Sequence, residues 1–178
     1  VKETFKTDLA ANGRLAADTS APGREPQNAL DDNLDTWWEA AAGKHTAELI
    51  LTLPEKVQFD VIMLQEAVAQ RGQRIETFAV ETSDGDTWQK AEFVRSEELT
   101  TVGHKRLLRL RSAVTASQVK IRITSSRLEP TIAEIGMYKQ PIAFMPPAIS
   151  DRNASGQVTI SNDAGLKMVY TVDGSAPN

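Results

Sequence analysis

The sequence predicts an all-β fold, an antiparallel β-sandwich or jelly roll, on three observations. Short segments of strand-like hydrophobicity recur along the chain, turn residues separate them, and no stretch sustains a helical period. The 178 residues suffice for one domain of ordinary size with some chain left over.

Taken in order, residues 48–53 and 59–64 are almost uniformly apolar, which suits strands covered on both faces. A strand is expected over 75–80. Asp84-Gly85 sits between 77–81 and 88–94 and reads as a hairpin connection. Residues 108–111 and 119–124 alternate apolar and charged side chains, as half-buried strands do. A further strand is expected over 132–138. Beyond Gln140 the character changes, because Pro141, Pro146 and Pro147 punctuate an apolar stretch. Residues 1–140 therefore read as the sandwich, and 141–178 as a linker followed by a short β segment with strands at 157–161 and 167–172. So few strands cannot close a core unaided, so the second piece is expected to be truncated.

Composition narrows the function classes. A formal net charge of −4 argues against a nucleic-acid surface, and no apolar run approaches the ~20 residues of a membrane helix. The chain begins at Val1 without an initiator Met or a signal-like leader, and is expected to be a fragment or processed product. Cysteine is absent, which points to an intracellular, bacterial periplasmic or bacterial exported origin over a disulfide-rich eukaryotic one. With no Cys and only His45 and His104, a zinc site is not expected. No phosphate-binding Gly loop, nucleophile elbow or His-Glu-x-x-His motif is present.

The densest chemistry lies between Asn28 and Trp38. Nine positions, 28–36, hold Asn28, Asp31, Asp32, Asn33, Asp35 and Thr36, and two indoles follow. Oxygen donors that dense suit calcium, which takes six to eight oxygens and uses carbonyls freely. An EF-hand loop is matched at Asp31, Asn33 and Asp35 but fails at Thr36, where Gly is needed, and at Ala42, where the closing Glu should be. A solvated acidic turn capped by Asx hydrogen bonds explains the same composition. The residues alone leave both readings open.

This segment resembles the calcium loop of the discoidin family, also called coagulation-factor type C or galactose-binding-like domains, which are jelly-roll sandwiches that include bacterial sugar-binding modules. Ala133-Glu134-Ile135 resembles the family's second ligand segment. The resemblance implies a structural calcium held by the Asp31 carboxylate, the Thr36 hydroxyl and carbonyl, the Glu134 carboxylate, and the carbonyls of Asn28, Asn33 and Ala133. One departure is Asp32, where the family carries Gly. Further along, Leu64-Gln65-Glu66, Gly72-Gln73-Arg74-Ile75, 78–81, Trp88, 100–106 and Arg127-Leu128-Glu129-Pro130 resemble the discoidin-like module that follows the catalytic barrel of α-L-fucosidases. That likeness covers roughly residues 8–139 and implies a non-catalytic fragment, since the family's catalytic residues lie in the barrel. The tail, with Tyr170-Thr171-Val172-Asp173-Gly174-Ser175-Ala176-Pro177, is similar to the small immunoglobulin-like domain that ends chitobiases and β-hexosaminidases.

Sugar sites pair an aromatic face with a few convergent polar groups. Trp37 is the aromatic candidate, and Trp38 is expected to fill the core. Arg71, His104, Glu66 and Arg74 are the polar candidates, with Gln70, Gln73, Lys105 and Arg106 nearby. Each has a structural alternative: Trp37 packing on a neighbouring domain, Glu66 and Arg74 forming an internal ion pair, Lys105 and Arg106 forming a solvated or interface patch. The expected function is a non-catalytic carbohydrate-binding module of a secreted or periplasmic bacterial glycoside hydrolase, meeting glycans that carry galactose, fucose or N-acetylhexosamine. The alternative is a module that clasps the catalytic domain of the same chain without binding sugar itself.

Overall fold

A computed structural model of the chain describes residues 5, 7–85, 87–95, 98–140, 147–162, 168–171 and 173–175. The chain divides into two compact units, Val1–Pro141 and Ile142–Asn178. The first is all-β. It runs through β1 (Arg14–Ala17), a 3-10 turn (Pro26–Leu30), β2 (Trp38–Glu39), β3 (Ala47–Gln65), the one-turn helix α1 (Val68–Arg71), β4 (Ile75–Ser83), β5 (Trp88–Lys90), β6 (Leu99–Thr100), β7 (Arg106–Ser126), β8 (Thr131–Ile132) and β9 (Glu134–Tyr138). The main sheet orders its strands β1-β3-β7-β4-β5, with β6 on β4 and β9 on β3, while β2 and β8 form a separate pair. Every pairing is antiparallel.

Two expected breaks are absent. Residues 48–53 and 59–64 belong to one strand, β3, and residues 108–111 and 119–124 both lie in β7. The β3–β7 ladder shifts register between Thr52 and Val57 and again between Phe59 and Val61. Pro54 falls in the first shift, where its missing N–H costs the ladder nothing. The polar stretch 54–56 is thus a solvent-facing irregularity within a strand, and such bends let long strands serve both layers of a sandwich. Conversely, the strand expected over 132–138 is interrupted at Ala133, which separates β8 from β9.

The core follows from alternation along these strands. Leu49, Leu51, Phe59, Ile62 and Leu64 of β3 pack with Val119, Ile121 and Ile123 of β7, and Trp38 joins them fully buried. The Trp38 Nε1–H lies 3.0 Å from both the Thr19 carbonyl and Ser20 Oγ, so its one polar atom is satisfied. The opposite face of β3 and β9 carries a smaller apolar cluster of Val61, Met63 and Tyr138, with Phe5 stacked on Tyr138 at 4.9 Å between ring centroids. Gly136 makes this possible: a Cβ there would stand 2.5 Å from Tyr138 Oη. The Asp84-Gly85 turn does join β4 to β5, with Ser83 opposite Trp88 and Gly85 at φ 119°.

In the second unit, Ala148–Ile149 (β10) pairs antiparallel with Ile160–Ser161 (β11). The strand expected over 167–172 falls partly outside the described residues, at Lys167 and Val172, and residues 168–171 carry no strand. Around Gly174 the Asp173 Oδ1 accepts a hydrogen bond from the Ser175 N–H at 3.0 Å, closing a tight Asx turn.

Candidate functional site

Strand β2 organises a polar cluster of the sandwich. Side chains alternate across a strand, so with Trp38 turned into the core, Trp37 and Glu39 share the other side. The Trp37 Nε1–H donates to Glu39 Oε2 at 3.0 Å. Arg71 Nε donates to the same oxygen at 3.1 Å, and Arg74 Nη1 donates to Oε1 at 3.1 Å. Arg71 ends α1 and Arg74 precedes β4; Gly72, at φ 75°, turns the chain between them so that both reach one carboxylate. Arg74 is anchored further by the carbonyls of Arg71 and Glu129, at 3.1 and 2.8 Å. The Glu129 carboxyl is held below the usual carboxylate range, chiefly by the Gly43 N–H it accepts, with the Arg74 guanidinium contributing.

Several site expectations need correction. Trp37 is not an exposed platform: it is 6% exposed, with the Arg24 guanidinium 3.4 Å from its ring centroid and that of Arg71 at 5.5 Å. Glu66 is 1% exposed, and three of the roughly four acceptor sites of its carboxylate are taken by backbone amides. Its Oε1 accepts from the backbone N–H groups of Arg74 and Ile75, and its Oε2 from that of Gly103, at 2.8, 2.9 and 2.6 Å. The expected Glu66–Arg74 ion pair is replaced by Arg74–Glu39, because Glu66 is engaged by three backbone amides while the Arg74 guanidinium turns towards β2. Arg74 itself is only 10% exposed at its side chain, whereas Arg71 is 40% exposed. His104 is exposed beside Gly103, and among the described residues it makes no hydrogen bond or ion pair with the Trp37 cluster.

The loop expected to hold calcium is a knot of its own oxygens. The Thr36 hydroxyl lies 2.6 Å from Asp31 Oδ2 and 2.8 Å from the Asn33 carbonyl oxygen. The Asn33 N–H donates to Asp31 Oδ1, and the Asp35 N–H to Asn33 Oδ1. Asn28 Nδ2 donates to the Trp37 carbonyl, tying the loop's start to β2. Asp32 takes φ 57°, the left-handed conformation that a Gly would adopt at no steric cost and that Asp tolerates. Ala133 is fixed by its N–H to the Gln65 carbonyl at 2.7 Å, and Glu134 is 7% exposed. Leu30, Asp32 and Leu34 line one cavity with Glu134 and Ile135, so the two segments border the same space. Among the described residues no three His, Cys, Asp or Glu side chains cluster to hold a metal. A cation here would rest on carbonyl and hydroxyl oxygens with few carboxylates, a donor set that suits calcium and not zinc.

Sequence reasoning missed Glu39, Arg24 and Glu129, which complete the Trp37 cluster. Glu39 was within reach of it, since period-two alternation from Trp37 puts the two side chains together. Arg24 and Glu129 come from distant segments, and only the fold brings them in. Chemically the cluster can hydrogen-bond and stack; its carboxylate is occupied by three donors.

The F5/8 type C domain family matches residues 14–137. Alpha-L-fucosidase 1 of Arabidopsis thaliana is 33% identical over 113 residues, which are 64% of this chain and 22% of that protein. A Ruminococcus gnavus GH29 fucosidase, solved in complex with fucose, superposes with a TM-score of 0.69 at 38% identity, over 79% of this chain and 28% of that one. The family 32 carbohydrate-binding module of Clostridium perfringens NanJ, solved in complex with galactose, shares the fold with a TM-score of 0.63 at 15% identity, over 74% of this chain and 96% of that module. The chain thus spans less than a third of each of these fucosidases. With 14–137 matched and the antiparallel sandwich in place, this chain belongs to the F5/8 type C, or discoidin-like, domain family.

Proposed function

We propose that this chain is a non-catalytic, glycan-binding accessory module of a glycoside hydrolase of the α-L-fucosidase type, acting in a secreted or periplasmic setting. One observation carries the reading: the partly exposed Arg71 guanidinium converges with Arg74 and Glu39 on the Trp37 indole. An aromatic ring edged by fixed donors is the chemistry that recognises a pyranose, whose hydroxyls pair with the polar groups while its C–H face lies on the ring. The Arg24 guanidinium lies where such a ring would stack, so stacking requires that partly buried side chain to move off the indole. The fucosidase relatives and the galactose-bound module support a sugar as ligand. Weak contacts of this kind hold an enzyme near its substrate through multivalency.

Calcium is part of the proposal, as a structural ion held by Asp31, Thr36 and Glu134 with the carbonyls of Asn28, Asn33 and Ala133. It would tie the early loop to β9 and stabilise the fold by binding only the folded state. Residues 141–178 are read as the start of an immunoglobulin-like domain on the resemblance of the 170–177 segment alone.

A second reading, a clasp on the catalytic domain without independent sugar binding, is favoured by the covered face of Trp37. Isothermal titration in calcium with fucose, galactose and N-acetylglucosamine separates the two. Saturable binding weakened by Arg71→Ala supports the glycan module. Flat titrations in a chain that still melts cooperatively contradict it and leave the clasp.

A further inference from the structure

A cavity of about 600 Å³ opens beside the start of β7, between Phe93-Val94-Arg95 and the run Arg106-Leu107-Leu108-Arg109. It shares no residue with the Trp37 cluster or with the loop between Asn28 and Thr36. It forms where the chain turns off the edge of β7, after Phe93 has bridged to Leu110 and the Val94 N–H has donated to the Arg109 carbonyl. Its size falls in the range of about 300–1,000 Å³ typical of small-molecule sites. Three guanidiniums border this one space in a chain whose formal net charge is −4, and the described lining holds no carboxylate.

These arginines differ from the others on the sandwich. Arg71, Arg74, Arg122 and Arg127 each meet a carboxylate within 3.4 Å. Arg95 and Arg109 are exposed, and among the described residues their side chains enter no hydrogen bond or ion pair. Arg106 is half-buried and held in place: its Nη1 donates to the Thr101 carbonyl, and its guanidinium lies 5.8 Å from the Phe78 ring centroid. Thr101 takes φ 58°, a left-handed conformation that a branched side chain adopts only under constraint, so the residue fixing Arg106 is itself strained. One N–H of the Arg106 guanidinium is used in this way out of the five that such a group carries. Like charges around one cavity raise the free energy of the empty site, and an anion lowers it. Guanidinium forks pair with two oxygens of a carboxylate or sulfate at once. Beside them Phe93 and Leu108 form a buried apolar floor, while Val94 and Leu107 stand half-exposed at 50% and 48%. A bare inorganic anion has no use for that apolar rim, whereas the C–H face of a sugar ring does. We infer that this cavity binds the oxyanion of an acidic saccharide, a sulfate ester or a uronate carboxylate, with the sugar ring against Val94 and Leu107. The inference rests on the glycan-binding reading above and adds a second location and an anionic ligand class to it.

The test is a chemical-shift titration of the whole chain in calcium with galactose 6-sulfate, glucuronate, galactose and inorganic sulfate. The Leu107 backbone amide reports the cavity, and the Arg71 backbone amide reports the Trp37 cluster. At least one acidic sugar should shift Leu107 saturably, the tighter of the two naming the oxyanion, and galactose should leave it still. Arg109→Ala should weaken that binding roughly tenfold, and so should Arg106→Ala. Should the half-buried Arg106 variant fail to fold, the exposed Arg109 decides. Lys56→Ala removes a positive charge that is 55% exposed and paired with Asp84, and should leave the cavity unchanged. Equal weakening by Lys56→Ala and Arg109→Ala would mean diffuse attraction and overturns the site. Inorganic sulfate binding as tightly as galactose 6-sulfate also overturns the inference, as an adventitious ion only. A shift at Arg71 with galactose, and none at Leu107 with either acidic sugar, overturns the inference but keeps the glycan module. No shift at either amide with any sugar overturns both.

Discussion

The Arg24 guanidinium lies 3.4 Å from the centroid of the Trp37 ring, closing the indole face that a bare sequence would leave open to ligand. Arg71 stands near the same ring at 5.5 Å, so the indole meets two cations and one carboxylate, Glu39. Cation–π contacts of this kind contribute on the order of 0.5–2 kcal/mol. They make the tryptophan a structural member of the cluster and a stacking surface held in reserve.

Arg24→Ala should therefore uncover Trp37 at a cost of about 1 kcal/mol. Acrylamide quenching of tryptophan fluorescence should rise, and any sugar affinity at this end should rise with it. An unchanged quenching constant would mean that another side chain covers the ring.

Glu66 accepts three backbone N–H groups from two chain segments, 74–75 and 103, while buried to 1% exposure. Glu66→Ala strands all three donors and should destabilise the fold by about 3–5 kcal/mol. Urea denaturation would show the drop as a lower midpoint, well beyond that of Arg71→Ala.

Gly136→Ala places a Cβ against the Tyr138 hydroxyl and ring edge, with 2.5 Å to Oη. A cost of about 1–3 kcal/mol is expected. The loss should shrink in a Tyr138→Ala background, because the clash and the ring go together. Thermal melts of the double-mutant cycle measure that coupling.

Burial, with Asp8 next in effect, raises the Tyr138 phenol above its ordinary pKa of 10.0. A folded-state pKa above the unfolded one gives stability that is complete below pH 10 and lost as pH rises past it, since only the unfolded chain ionises there. Wild type should lose stability more steeply above pH 10 than Tyr138→Phe, as read from urea midpoints across an alkaline pH series.

Calcium in excess should raise the melting temperature, with about 2.7 kcal/mol of stabilisation at a hundredfold its dissociation constant. Asp31→Asn should abolish that increment. A chelator that leaves the wild-type melting temperature unchanged would remove the ion from the account.

Much of the fold was legible because burial leaves a period in the sequence. Leu49, Leu51 and Ile121 are where alternation and apolar runs put them, Trp38 is where the family resemblance puts it, and all are core. The errors arose where polar residues are part of a strand. Residues 54–56 look like a turn but ride a register shift inside β3. The Trp37 cluster was half legible: Trp37, Arg71 and Arg74 were singled out and do meet, and Glu39 lies two residues from Trp37. What failed was the side-chain accounting. Glu66 was matched to a guanidinium, and the fold gives it amides; Arg24 and Glu129 enter from remote segments, with no local signal. The Gln65–Glu134 face depends on how β9 registers against β3, which local sequence does not encode.

Whether the chain binds sugar at all decides between the glycan module and the clasp. Saturation-transfer NMR of the whole chain in calcium, with fucose, galactose and N-acetylglucosamine, detects even weak contacts. Saturation should transfer to the ring protons of at least one sugar and be reduced by Arg71→Ala. No transfer to any of them, from a chain whose spectrum shows it folded, would contradict the glycan-binding function and leave an F5/8 type C module that clasps its neighbour.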